Sequence, residues 1–404
     1  MVSNARPKQK VSPRLAKAGV RGFLRGLLRH PVIVSKIVIT RVRTDPLRVA
    51  QAVAEATPPR LRPLIGSVAW PVARKVRRVA GHISMRRARG PLREAKTLFD
   101  SGRISEAFEV LRPHERWAFT KRRLAYYQGE VAALKPNPIP PGPKVTIGPR
   151  VENRVLHLVT NALPYTQAGY TVRTHRIVTA QKAAGLDPHV VTSWGWPMLQ
   201  GHTAVEPFEE IDGIPYHRLL PHGEVPKHAH DRLLRGAEDV TRLVQELRPR
   251  VLHAATDHRN GNVAMAVRQR TDTPFVYEVR GFLEETWASR DPARVGTERH
   301  RMQRETEANL MRSADAVVTL AETMAAEIVE RGVPRERIFL APNAVDDSLL
   351  TAEYDGAAFR RAYGIADDEV VVGSVSSIVG YEGFGVLLDA AAVLRDRGVP
   401  IRVL

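Results

Sequence analysis

From residue 155 onward, short apolar runs of strand length alternate with segments that have helical spacing. Val155–Thr160 reads as the first strand, and Thr171–Ala184 reads as the helix after it, ended by Gly185. The alternation continues as far as residue 340. The predicted strands are 155–160, 189–192, 215–219, 251–254, 275–279, 316–320 and 338–340, and the predicted helices are 171–184, 231–247, 262–270, 297–312 and 323–331. Such alternation predicts an α/β fold, with a parallel sheet and helices on both of its faces.

The loop between the first strand and the first helix contains candidate ligand-binding residues. It follows Pro164 and carries Ala168, Gly169 and Tyr170, and Arg173 lies one turn into the helix. Ligands of α/β sheets bind at the carboxyl ends of strands, where helix N-termini offer unpaired backbone N–H groups. A glycine lets such groups approach an oxyanion closely. The loop is therefore predicted to bind a phosphorylated or polyhydroxylated ligand, and the alternative is that Gly169 only makes a turn.

Charge is distributed unevenly along the chain. Residues 1–150 contain 32 lysines and arginines against 8 acidic residues, whereas the remaining residues contain 29 against 35. The net charge of +18 therefore belongs to the N-terminal region. This asymmetry predicts an anionic partner for that region, with a membrane surface favoured over nucleic acid. The absence of cysteine excludes disulfides and thiolate chemistry, and it favours a cytoplasmic location.

The first 150 residues divide into three segments of different composition. Residues 1–90 form a basic arm in which runs such as 23–29 interleave apolar and cationic side chains. This pattern predicts a segment that lies on anionic lipid at the inner face of the membrane, and the alternative is a partly ordered arginine-rich arm. Residues 91–135 predict a helical hairpin, and residues 136–150 contain six prolines, which predict an extended linker.

A second domain is predicted over residues 346–404. Val370–Val375 reads as a strand, Phe384–Arg397 as a helix and Ile401–Leu404 as the start of another strand. A parallel strand covered on both faces needs neighbouring strands that this segment does not supply. We therefore expect the second domain to be incomplete in this sequence, and the chain to be a fragment.

Five motifs occur in an order and spacing that resembles a known family. They are the segments 161–174, 250–261, 275–281, 314–346 and 373–383. Together they resemble the retaining glycosyltransferases of family 4, which have the GT-B architecture of two Rossmann-like domains. The resemblance implies a complete N-terminal, acceptor-side domain over residues 151–345 and the first βαβ elements of a donor-binding domain over residues 346–404.

The resemblance also assigns roles to individual residues of the first domain. It places Ala168, Gly169 and Tyr170 in the loop that approaches the donor phosphates. His253 matches the first histidine of the family's His–x–His pattern, Ala255 replaces the second, and His258 follows three residues later. These two histidines are the catalytic candidates, although a histidine at a strand end can equally be a hydrogen-bonded structural residue.

Two arginines are the candidates for binding an anion or the acceptor. Arg280 follows a strand and, like Arg173, could hold a phosphate with its guanidinium fork. The alternative for Arg280 is a salt bridge to Glu284 or Glu285.

The remaining candidates lie at or beyond the junction of the two predicted domains. Asn343 belongs to a turn that resembles the family's interdomain hinge. The donor-domain loop contains Gly373, Ser376 and Glu382, and the last two replace the arginine and lysine with which many family members hold the diphosphate.

The resemblance predicts a glycosyltransferase of hexosyltransferase type that moves a sugar from a nucleotide-diphosphate sugar to a glycan, lipid or small-molecule acceptor. The nucleotide-sugar is a co-substrate, and neither a cofactor nor a metal is expected. The fragment is expected to be inactive alone. Two alternatives are a GT-B nucleotide-sugar epimerase and a non-catalytic adaptor associated with membrane or nucleic acid.

Overall fold

A computed structural model of the chain describes residues 90–202, 204–222, 224–345, 347–376, 378 and 382–404. The predicted basic arm lies outside these residues except for Gly90, so its structure and its membrane contact stay predictions. The chain divides into two compact units, which separate between Pro342 and Asn343. Within the described residues, no helix has both the length and the apolar character needed to cross a bilayer.

The first unit begins with a helical segment. Residues 91–135, for which the sequence predicted a hairpin, contain three α-helices: α1 (Pro91–Asp100), α2 (Ile104–Leu111) and α3 (Ala118–Ala133). Tyr127 of α3 stacks on Phe99 of α1 with ring centroids 3.8 Å apart. These rings belong to a small core of their own, formed with apolar side chains of α2.

Strands and helices alternate through the rest of the first unit. The strands are β1 (Val151–Val159), β2 (Asp187–Thr192), β3 (Phe208–Ile211), β4 (Ile214–Arg218), β5 (Pro249–Ala255), β6 (Phe275–Val279), β7 (Ala316–Thr319) and β8 (Ile338–Leu340). The helices are α4 (Gly169–Ala183), α5 (Ala229–Leu247), α6 (His258–Thr271), α7 (Leu283–Ala288), α8 (Glu298–Ser313) and α9 (Glu322–Glu330). All seven predicted strands and five predicted helices of this region are present, with ends shifted by a few residues.

The eight strands form one sheet in the order β3-β4-β2-β1-β5-β6-β7-β8. Every neighbouring pair is parallel except β3 and β4. The predicted α/β class, with a mostly parallel sheet in the first domain, is confirmed. Because β1 occupies the centre, the carboxyl ends of β1, β5 and β6 lie side by side at one edge of the sheet.

The sheet buries different side chains on its two faces. One face contributes Leu156, Leu252 and Tyr277 to the main core, with apolar residues of α5, α6 and α8. The other face packs Val159 and Ala255 against Val178 of α4. Helix α4 therefore covers the second face directly above the central strands.

The sequence prediction missed the antiparallel edge strand β3. Two of its four residues are glutamates, and the strand is only half buried, so its apolar pattern is weak. The signal that identifies it is the Asp212-Gly213 pair, whose positive φ angles of 50° and 75° fit a tight hairpin turn. The prediction of a wholly parallel sheet was therefore wrong at this edge.

The second unit contains two short strands and three helices among its described residues. They are α10 (Asp347–Thr351), α11 (Gly356–Tyr363), β9 (Val370–Val372), α12 (Phe384–Asp396) and β10 (Ile401–Val403). Strands β9 and β10 pair in parallel through the crossover helix α12. The predicted start of a second βαβ domain is thus present.

Candidate functional site

A cleft of about 310 Å³ opens at the carboxyl ends of the three central strands. We call it the Arg280 cleft. Its lining residues are Val159, Thr160, Asn161, Tyr170, Thr174, Ala255, Thr256, Asp257, Arg280, Gly281 and Leu283. They come from the ends of β1, β5 and β6 and from the first turns of α4, which is the position where α/β sheets bind ligands.

Arg280 is held in this cleft by several hydrogen bonds. Its Nη1 donates to the Tyr170 carbonyl oxygen at 3.0 Å and to Thr174 Oγ1 at 2.7 Å. Its Nη2 donates to Glu278 Oε2 at 2.6 Å, whereas its buried Nε has no partner in the described part of the chain. The guanidinium is therefore fixed above the start of α4.

The alternative prediction, a salt bridge between Arg280 and Glu284 or Glu285, was wrong. Glu284 pairs instead with Arg331, at 2.6 Å, and Glu285 pairs with His300 and Arg304. Both glutamates lie on α7, a helix that the sequence analysis did not predict, and their side chains are directed to α8 and the end of α9.

Glu278 connects the two arginines that the sequence analysis selected. Its Oε1 accepts a hydrogen bond from Arg173 Nε at 3.0 Å, and its Oε2 accepts bonds from Arg280 and from His253 Nε2, the latter at 3.2 Å. Burial opposes ionisation of this carboxyl, but the hydrogen bond from His253 and the charge of Arg280 outweigh it and hold the pKa of Glu278 well below its usual value. We call Glu278, Arg173, Arg280 and His253 the Glu278 cluster. Because two guanidinium groups face one carboxylate, the cluster has a net positive charge.

Arg173 also contacts the end of the first unit. Its Nη2 donates to the Ala341 carbonyl oxygen at 2.6 Å, and its Nη1 donates to the Pro342 carbonyl oxygen at 3.1 Å. These carbonyls immediately precede Asn343, the predicted hinge residue. Helix α4 is therefore attached to the chain segment that leaves the sheet.

His253 is half-buried and does not belong to the lining of the Arg280 cleft. Its ring stacks on that of His157, the register partner on β1, at 4.6 Å between centroids. His157 in turn contacts Gln181 of α4 at 2.7 Å. Burial, aided by the neighbouring His253, lowers the pKa of His157 to about 3, so this ring is neutral. This environment supports the structural interpretation of His253.

His258 occupies a different environment from that of His253. It begins α6, its backbone N–H donates to Glu307 Oε1 at 2.9 Å, and its ring lies 3.7 Å from the same carboxylate on α8. The neighbouring Asp257 lines the Arg280 cleft and is neutralised by Arg259. The structure therefore does not bring the two candidate catalytic histidines together.

The predicted phosphate loop lies at the N-terminus of α4. Ala168 precedes the helix, and its backbone N–H donates to Thr171 Oγ1 at 3.0 Å. The first amides of a helix have no carbonyl partner within it, so those of Gly169 and Tyr170 are available to a ligand. A Cβ added at Gly169 would meet no atom within 4 Å, and its φ is not in the left-handed region. The local fold therefore does not require glycine at this position, and the assignment of Gly169 to a phosphate loop stays a prediction.

Two lining residues, Asn161 and Thr256, lie within the motifs 161–174 and 250–261 but were not among the predicted site residues. Asn161 donates from Nδ2 to the Tyr170 hydroxyl at 3.1 Å, while its buried Oδ1 has no partner within the described residues. Thr256 Oγ1 accepts from the Arg280 backbone N–H at 2.8 Å and donates to the Glu278 carbonyl oxygen. Asn161 and Thr256 thus place an amide and a hydroxyl in the lining of the cleft, and both kinds of group can form hydrogen bonds with hydroxyl groups.

The candidates of the second domain lie in the second unit. Gly373 follows β9, and an added Cβ there would be in ordinary contact with Leu404 at 3.8 Å. Ser376 lies in the loop after β9, and the exposed Glu382 is separated from the start of α12 by Gly383. Their assignment to a donor loop stays a prediction. Within the described ranges, no group of three acidic, histidine or cysteine side chains could hold a metal ion.

Residues 168–344 match the sequence model of a glycosyl transferase 4-like domain. No curated protein sequence is significantly similar to the chain.

Similar solved structures include sucrose-phosphate synthase from Thermosynechococcus elongatus, with 14% identity, a TM-score of 0.44 and coverage of 62% of this chain and 70% of that one. Anabaena HepE in complex with UDP and glucose has 17% identity, a TM-score of 0.43 and coverage of 62% and 59%. A glycosyltransferase from Rickettsia africae has 12% identity, a TM-score of 0.39 and coverage of 61% and 58%. The chain thus spans less than two thirds of the length of the latter two proteins.

The match covers α4, the strands β2 to β8, and Arg173, His253, Glu278 and Arg280. It includes the motifs 250–261 and 275–281 and most of 314–346, but not the motif 373–383. Residues 168–344 are therefore similar in sequence to a glycosyl transferase 4-like domain.

Proposed function

We propose that this protein is a glycosyltransferase that transfers a hexose-type sugar from a nucleotide-diphosphate sugar to an acceptor. The observation that carries the proposal is the position of Arg280, which lines a cleft above the N-terminus of α4 within the matched domain. A guanidinium and the first amides of a helix are both groups that bind phosphate oxygens.

In this proposal, Arg280 and the amides of Gly169 and Tyr170 stabilise the negative charge that develops on the departing diphosphate. Charge stabilisation of this kind is worth most in a preorganised site from which water is excluded. Glu278 keeps Arg280 oriented, and the net positive charge of the cluster attracts the donor. Asn161, which lines the cleft, would contact sugar hydroxyls. Retention of the anomeric configuration is carried over from the resemblance alone.

A transfer assay tests this function. The purified protein is incubated with a panel of radiolabelled nucleotide-diphosphate sugars and with glycan, lipid and small-molecule acceptors. Labelled product from one donor supports the function, and it would overturn the expectation that this chain is inactive alone. Arg280→Lys keeps the charge but loses the fork, so kcat/KM should fall by about tenfold or more. Arg335→Lys, at an exposed ion pair with Glu322, is the matched control and should have little effect.

Two results of the same assay would contradict the proposal. Release of an epimerised sugar without any acceptor would identify an epimerase instead. Neither transfer nor hydrolysis, together with no binding of any donor, would favour the adaptor alternative.

A further inference from the structure

The turn between helices α2 and α3 exposes large aromatic side chains. Trp117 directly precedes α3 and is 48% exposed, and Phe119, in the first turn of α3, is 62% exposed. Tyr126 is 42% exposed and lies on the same face of α3 as Phe119, because seven residues make about two helical turns. We call residues 112–126 the Trp117 corner. Clustered apolar groups with polar residues around them are typical of a surface that binds a protein or a membrane.

The exposed rings are carried by a well-packed helix. The Trp117 backbone N–H donates to the His114 carbonyl oxygen at 3.0 Å, and the rings of these two residues stack with centroids 5.1 Å apart. Leu124 and Tyr127 are buried in the core that α3 shares with α1 and α2. Helix α3 also packs against α5, and its Ala133 belongs to the main core. The exposure of the rings is therefore a property of the folded first unit.

Cationic side chains flank these rings. Four of them are exposed and form no ion pair with the described part of the chain, namely Arg112, Arg116, Lys121 and Arg122. Glu115 is the only acidic residue among residues 112–126. The Trp117 corner therefore has a net positive charge that is available to an anionic partner.

This combination of groups is complementary to an anionic membrane surface. Aromatic rings enter the headgroup region of a bilayer, and each lysine or arginine close to an anionic leaflet adds to the attraction. Single-stranded nucleic acid also stacks on aromatic rings. Lipid is favoured because the basic arm that precedes α1 combines cations with leucines, as in residues 23–29, and leucines bury in lipid but do not stack on bases.

We propose that the Trp117 corner docks the protein on an anionic membrane. Trp117 and Phe119 insert their rings among the lipid headgroups, and the four exposed cations contact lipid phosphates. This surface is distinct from the contact predicted for the basic arm, because it belongs to a folded helix of the first unit. It goes beyond the proposed transfer reaction and does not depend on whether the chain transfers a sugar.

Quenching by brominated lipid measures the insertion of Trp117, because brominated acyl chains quench tryptophans that enter the bilayer. The full chain with Trp70→Phe, which removes the tryptophan of the basic arm, is compared with the same chain that also carries Trp117→Phe. The other three tryptophans are common to both proteins. With vesicles of phosphatidylserine and brominated phosphatidylcholine, the fluorescence of the first protein should decrease. The second should lose most of this decrease and still bind, because phenylalanine keeps an apolar ring.

Two substitutions test the affinity for vesicles of phosphatidylserine and phosphatidylcholine, measured by sedimentation. Phe119→Ala removes a ring from the lipid and should weaken binding about fivefold or more. Its matched control is Phe208→Ala on β3, where a phenylalanine of similar exposure, 52%, is flanked by acidic residues. Arg122→Glu should weaken binding about tenfold or more. Arg250→Glu makes the same change of charge at an exposed ion pair elsewhere and should have a smaller effect.

The inference is overturned if Trp117→Phe leaves the decrease in fluorescence unchanged, or if Phe119→Ala and Arg122→Glu bind vesicles as tightly as their controls. Any vesicle binding would then belong to the basic arm alone. Quenching of Trp117 by single-stranded DNA, with no response to phosphatidylserine vesicles, would also overturn it and identify a nucleic-acid surface. Circular dichroism, which should be the same for all variants, distinguishes a lost contact from a lost fold.

Discussion

Glu278 occupies a strand that is otherwise apolar, and two arginines and a histidine surround its carboxylate. Its side chain is 1% exposed, and a buried charge persists only where it is paired and hydrogen-bonded. The presence of Glu278 within the apolar strand Phe275–Val279 therefore indicates a buried ion cluster from the sequence alone. Both arginine partners, Arg173 and Arg280, were predicted as site residues from the sequence, whereas Glu278, which connects them, was not.

Replacing Glu278 should destabilise the protein strongly. Glu278→Gln removes the carboxylate from between Arg173 and Arg280, and leaving buried charges unpaired costs about 3 kcal/mol or more. The measurement is the free energy of unfolding from urea titration. Glu285→Gln, at a half-exposed pair, is the control and should cost less than about 1 kcal/mol. Equal unfolding midpoints for the two variants would show that the ion pairs of Glu278 do not stabilise the fold more than those of Glu285.

His157 should make the stability of the fold depend on pH. Its folded-state pKa is lowered to about 3, whereas an unfolded histidine titrates near 6.5. The unfolded chain therefore binds the proton first, so stability is lost as the pH falls below about 6.5. The depressed pKa of Glu278 has its effect below the unfolded value of about 4.3, outside that window.

Comparison with His157→Asn isolates this effect. Between pH 7 and pH 5, the free energy of unfolding of the wild type should fall by about 2 kcal/mol more than that of the variant. Urea titrations at the two pH values measure the difference. Parallel pH dependences of the two proteins would refute the assignment of a neutral, buried His157.

At the scale of elements, helix α6 packs closely against β6 and α8 at Gly261. A Cβ added to Gly261 would lie 2.8 Å from both Tyr277 and Leu310, whose side chains are fully buried. Gly261→Ala should therefore cost about 1–3 kcal/mol through overpacking, despite the better helix propensity of alanine. Gly236→Ala, which meets no such obstacle, should stabilise by up to about 1 kcal/mol. If thermal unfolding shows both variants to be more stable than the wild type, the close helix crossing is contradicted.

The elements themselves were largely predictable from the sequence. Buried parallel strands such as β5 and β6 are apolar runs that end at turn residues, and α4 ends at Gly185, whose φ is +86°. The half-exposed β3 and the six-residue α7 have too little apolar periodicity to be recognised. The site was less predictable, because sequence order places His253 and His258 close together while α4 and α8 direct them to different environments.

At the scale of the whole molecule, the excess of positive charge in residues 1–150 predicts a contact with an anionic membrane surface. The protein should bind phosphatidylserine vesicles at low salt, and the binding should weaken as ionic strength rises. Sedimentation with vesicles measures it, and pure phosphatidylcholine vesicles and duplex DNA are the controls. Binding to DNA without binding to phosphatidylserine would contradict the membrane assignment.

The central claim is that Arg280 and the start of α4 hold the diphosphate of a nucleotide-sugar. Equilibrium titration of UDP-glucose and GDP-mannose against the wild type, Arg280→Lys and Arg335→Lys tests this claim most directly. We predict that one donor binds, that Arg280→Lys weakens its affinity by about tenfold or more, and that Arg335→Lys does not. Equal donor affinity in all three proteins, or no binding of either donor, would contradict the claim.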